Sequence, residues 1–109
     1  MAHKGTGAFI AQRASAVLLL PLVGWFLYAA VKLSAADYDA ARAFLSNPFA
    51  ASPFALVIIL SAYHMRIGLG EIIADYIHDR LKGVLSVLNL LAAAAAAAGA
   101  AWAAYRLAF

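Results

Sequence analysis

The chain has 109 residues, 67% hydrophobic and 12% charged, with a net charge of +3 and no cysteine. Its mean hydropathy of +0.89 excludes an ordinary soluble globular domain and predicts several membrane-spanning helices, each needing about 20 apolar residues. Disulfides, thiolate zinc sites and cysteine-ligated iron–sulfur clusters are excluded as well. The eight Lys and Arg residues are scattered, so they read as topology signals rather than as a nucleic-acid surface.

The expected fold class is all-α and integral to the membrane: one small domain of three transmembrane helices. Three helices cannot enclose a large cofactor alone, so the domain is expected to pack with a partner into a larger bundle. Met1–Gly7 reads as a polar, flexible tail, and the first apolar run is too long for the core of a cleavable signal peptide. The first span is expected over about 8–33. Arg13 stands near its start, Trp25, Phe26 and Tyr28 toward its far end, and Pro21 inside it as a source of a kink. Arg13-Ala-Ser-Ala16 forms the polar entry; Arg13 either snorkels to the headgroups or pairs with an anion held between helices.

Ser34-Ala-Ala-Asp37 resembles a capping box, followed by Tyr38, Ala41, Phe44 and Leu45 at helical spacing. A short amphipathic helix on the membrane surface is expected over about 35–46. Asn47-Pro48 turns the chain, and Ser52-Pro53 fits an N-cap with proline at the first helical position. The second span then covers about 54–77. His78 to Gly83 reads as a tight charged turn. The third span covers about 84–104, where the Ala92–Ala98 run and Gly99 predict close helix packing and Trp102, Tyr105 and Arg106 anchor the end. Lys4, Arg13, Arg80 and Lys82 fall on one side, and Lys32, Arg42 and Arg106 on the other. The positive-inside rule therefore favours a cytoplasmic N-terminus.

The chemistry concentrates in the second span. A charge at the centre of a bilayer costs roughly 2.5–3.5 kcal/mol on insertion scales, so such groups usually face a partner, a cofactor or water. His64, Gly68, Glu71 and Asp75 fall within an arc of about 60° on one helix. His64 lies near the midplane; Asp75-Tyr76 lies at the interface, and Arg66 projects from nearly the opposite face. A midplane histidine is a hydrogen-bonded structural residue, a proton relay or an axial ligand to haem iron. Gly68, one turn on, leaves room for a flat macrocycle or a close partner helix. Asp75-Tyr76 suits a quinone, since a phenol donates to a quinone carbonyl and a carboxylate passes protons.

His64-Met-Arg-Ile-Gly68, with Asp75-Tyr76 eleven residues after the histidine, resembles the D-type hydrophobic membrane anchor of succinate dehydrogenase (respiratory complex II), most closely its alphaproteobacterial branch. The Arg13-Ala-Ser-Ala16 entry, the length and the three-span plan match the same family. The resemblance implies that His64 is an axial ligand to haem b, shared with a second, C-type membrane anchor. It also implies that Tyr76 hydrogen-bonds ubiquinone, that Asp75 is its acidic neighbour and that Arg13 lies near the haem propionates. The other implied partners are an iron–sulfur subunit and an FAD flavoprotein, and the implied location is the bacterial inner membrane with the C-terminus periplasmic. Gly7, Ala8 and Phe9 depart from the family pattern, which often has His or Trp there, and Glu71 and Arg66 receive no role from it. Two other readings fit the residues. One is a di-haem b-type cytochrome using His64 and His78. The other is a small proton-relay or transport protein using His64, Glu71 and Asp75.

Overall fold

The computed structural model describes residues 4–109 and is helical almost throughout, with no strand among them. Helix α1 covers Lys4–Ser34, α2 covers Tyr38–Leu45, α3 covers Pro48–Tyr76 and α4 covers Asp79–Ala108. Three of them, α1, α3 and α4, are long and apolar enough to cross a membrane. At 1.5 Å per residue, each is about 45 Å long, against a hydrocarbon core of about 30 Å, so their ends reach well into the headgroup layers. The expected three-span plan is therefore the observed one.

The boundaries differ from the sequence expectation in instructive ways. Lys4–Gly7 is already helical, while Met1–His3 of the expected tail lie outside the described residues. The α1 helix runs through Pro21, so the proline removes one backbone bond without ending it. Asp37, not Ser34, caps α2: its carboxylate accepts from the Ala40 amide at 2.8 Å. Ser34 instead donates to the Val31 carbonyl at 2.7 Å. The start of α3 is Asn47-Pro48, where the Asn47 side chain accepts from the Phe49 amide at 2.9 Å; Pro53 then lies inside the helix. Both Asn-Pro and Ser-Pro carry the same N-cap chemistry, and the helix takes the earlier one. The charged stretch after α3 is mostly helix too. Only Ile77 and His78 separate α3 from α4, and Asp79 turns the corner with φ 64°, a left-handed conformation that Asp tolerates better than most residues.

Helix α3 is the centre of the bundle, with α1 on one side and α4 on the other. All three run antiparallel to their neighbour. Near the far ends, Phe54 of α3 packs against Trp25 and Phe26 of α1 with ring centroids 6.2 and 5.4 Å apart. Lys32 at the end of α1 lies 5.2 Å from the Phe44 ring of α2, tying the surface helix to the span before it.

What is buried is small. The core is Ala29, Ala50, Ala51, Ala62, Ala93 and Ala100 with Val57 and Ile73, and no large side chain is fully enclosed. Alanine at a contact lets two backbones approach closely, which is how helices associate in lipid without a hydrophobic driving force. Only part of the alanine run serves this purpose. Ala93 and Ala100 are buried and Ala97 is partly so, a spacing of four and three residues on one face of α4, whereas Ala94, Ala95, Ala98 and Gly99 are exposed. Large apolar residues cover the outside, Leu20 and Val31 each at 73% exposure, as befits a surface that meets lipid or other membrane helices. Replacing Ala93 with leucine should force α4 away from α3 and cost about 1–3 kcal/mol. The fall in Tm of the purified protein measures it.

Candidate functional site

The second-span stripe forms as expected, but its members have different surroundings. His64 is the seventeenth of the 29 residues of α3, close to the middle of the helix, and is partly buried where α1 crosses. Its Nδ1 lies 2.8 Å from Oγ of Ser15 on α1. Ser15 is 3% exposed and the one buried polar residue among those described; its hydroxyl also donates to the Gln12 carbonyl at 3.0 Å. Nε2 of His64 makes no hydrogen bond to a described residue, and it is not among the atoms sealed from the outside without a partner. The imidazole is thus held at one nitrogen and open at the other.

Gly68 lies directly beneath the Gln12 side chain of α1. A Cβ built there would meet Gln12 Nε2 at 3.2 Å, so the space beside the histidine is filled by a side chain of α1. Gln12 Oε1 is buried in the same seam without a partner. On the other flank of α3, Asn89 of α4 donates to the Arg66 carbonyl at 2.8 Å, while its own Oδ1 is buried and unpartnered. Polar groups therefore line both seams of the central helix at similar depth.

Gln12 and Asn89 did not stand out from the sequence, and Ser15 entered only as part of the Arg13-Ala-Ser-Ala16 entry, with no role of its own. The signal was present: Gln12 and Ser15 are three residues apart, hence neighbours on one face of α1, and both are polar inside an apolar span.

The remaining expected site residues are not gathered around His64. Arg13 lies two residues before Ser15, about 200° round the helix, and is exposed with its guanidinium 5.1 Å from the Phe9 ring. Asp75 and Tyr76 end α3 and are exposed, Tyr76 at 75%. From His64 to Tyr76 is about 18 Å along the axis. Glu71 and Arg66 are also exposed. His78 is in the link between α3 and α4 and its side chain makes no capping bond. Among the described residues no three metal-ligating side chains come together, so His64 offers a single ligand and not a cage.

The match to known families extends over nearly the whole chain. Residues 1–101 fit the model of the transmembrane subunit of succinate dehydrogenase and fumarate reductase. The chain belongs to that family. It is accordingly an integral membrane subunit of an oxidoreductase complex, associating with the other subunits of succinate dehydrogenase or fumarate reductase. No curated protein and no solved structure matched it.

The contact at Gly68 gives a direct test of the seam. Gly68→Leu should push Gln12 and α1 off α3 and lower Tm as an overpacked core does, by about 1–3 kcal/mol. Gly24→Ala, where a Cβ meets nothing within 4 Å, should leave it unchanged.

Proposed function

We propose that this chain is the D-type membrane anchor of a succinate:ubiquinone oxidoreductase, holding half of a haem b site and part of a ubiquinone-reduction site. The observation that carries the reading is the half-engaged imidazole of His64: central in α3, tied at Nδ1 to Ser15, and open at Nε2. A metal-ligating histidine usually has this arrangement, one nitrogen held by the protein and the other offered to the metal. The residues therefore fit haem iron with His64 Nε2 as one axial ligand.

A second protein ligand to that iron would come from the partner, a C-type membrane anchor. The chain has three histidines in all; His3 precedes the spans and His78 lies in the link after α3. Haem b, when bound, supplies a one-electron redox centre inside the bundle. Arg13 faces outward from α1, where a propionate shared with the partner would meet it. The reading keeps the partner outside α1 and α3 and does not require Arg13 to contact His64.

The side chains of Asp75 and Tyr76 stand exposed at the end of α3. The Tyr76 phenol donates to a quinone carbonyl, and Asp75 delivers protons from the adjacent water as the quinone takes up electrons. Those electrons originate from succinate on the FAD flavoprotein and arrive through the iron–sulfur protein. Both soluble partners dock on the side that holds the start of α1 and the link between α3 and α4, where Arg80 and Lys82 add positive charge. By the positive-inside rule that side is the cytoplasm and the C-terminus is periplasmic; that the membrane is the bacterial inner membrane is what the resemblance to the alphaproteobacterial anchors implies.

The test is a reduced-minus-oxidised spectrum of the complex purified through a tag on this chain. One b-type haem with co-purifying flavoprotein, iron–sulfur protein and second anchor is the expected result; absence of haem and flavoprotein overturns the reading. His64→Ala should lose most of the haem signal while succinate oxidation with a soluble dye persists. Tyr76→Phe should lower quinone reduction about 10–100-fold with the haem spectrum intact. Unchanged quinone kinetics in that variant would remove Tyr76 from the site.

A further inference from the structure

We infer that Ser15 on α1 is a positioning residue for His64, fixing the imidazole tautomer so that Nε2 carries the free lone pair. The inference rests on the haem reading above and concerns a residue that the reading does not use.

Ser15 Oγ has two polar neighbours, the Gln12 carbonyl oxygen at 3.0 Å and His64 Nδ1 at 2.8 Å, and only one hydrogen to give. A carbonyl oxygen can only accept. If the hydroxyl turned to Nδ1, Oγ and the Gln12 oxygen would face each other lone pair to lone pair at hydrogen-bond distance. If it donates to the carbonyl, Oγ keeps a lone pair toward His64, and both contacts are hydrogen bonds only when Nδ1 carries a proton. A neutral imidazole protonated at Nδ1 is unprotonated at Nε2, the nitrogen that is open.

The surroundings make that choice consequential. Ser15 is 3% exposed, so no water competes for its hydroxyl, and an unpaired polar contact in a buried seam costs more than one at a surface. The backbone of α1 is thereby a second partner of the ligand at one remove: Gln12 carbonyl to Ser15 hydroxyl to His64 ring. Gly68 leaves the Gln12 side chain its place in the same seam, since a Cβ there would meet Gln12 Nε2 at 3.2 Å. Donation from Nδ1–H raises the electron density at Nε2 and favours the oxidised metal.

The experiment compares the whole complex carrying Ser15→Ala, Ser15→Thr or the native residue, by redox titration of the haem and the low-spin ferric EPR signal. Ser15→Ala should assemble with its flavin and with haem bound, but with the midpoint raised. The expected shift is about tenfold in the oxidised-to-reduced ratio at fixed potential, or about 59 mV for one electron, with an altered EPR signal. Ser15→Thr, which keeps the hydroxyl, should restore both. An unshifted potential and signal in Ser15→Ala, or an equal shift in Ser15→Thr, overturns the inference while leaving the haem site standing. A native complex with no b-type haem overturns the haem reading, and this inference with it.

Discussion

A helix that carries histidine and arginine through hydrocarbon needs neighbours close enough to satisfy it, and closeness is the constraint on which this fold depends. Water is absent from the bilayer core, so polar groups must find partners within the protein. Here both neighbours of α3 approach over small residues. Gly68 admits α1, and alanines at 93 and 100 seat α4. The polar contacts at the two seams, Ser15 with His64 and Asn89 with the Arg66 carbonyl, exist because the backbones are near. Bulk at the contact would separate the helices and strand the polar groups together.

This arrangement divides α3 by depth. Its middle is enclosed by α1 and α4 and holds the imidazole at a set orientation. Its end, from Glu71 to Tyr76, is exposed on this chain. A group bound at the middle meets a rigid, partly dry environment, and one bound at the end meets mobile headgroups and water. An electron carrier gains from the first, because a fixed ligand sets its potential. A reaction that takes up protons gains from the second. The two tasks proposed for the helix are thus separated along its axis.

Much of this was legible in the residues. Hydropathy alone finds three spans, and helical spacing alone puts His64, Gly68, Glu71 and Asp75 on one stripe. The helix ends were harder. Ser34 and Ser52 carry cap chemistry as good as that of Asp37 and Asn47, and only the path of the backbone decides between them. Charges at Asp79, Arg80 and Lys82 mark where the chain leaves hydrocarbon, which is a different event from where a helix stops. The alanine run announces close packing but cannot say on which face, because every face of it is small. Ser15 was visible only as part of the polar entry that begins at Arg13, because its own meaning depends on a residue 49 positions away.

The two-residue link at Ile77 and His78 has a consequence for biogenesis. A connection so short, turned by the left-handed Asp79, keeps α3 and α4 together from the moment both have left the ribosome, as one hairpin. Asn89 lies against the Arg66 backbone carbonyl within that hairpin, so the pair carries an interhelical polar contact of its own, while the charged side chains of Arg66 and Glu71 stay exposed on it. Helix α1, tethered through α2 and a longer path, is the neighbour that covers His64 from outside this hairpin.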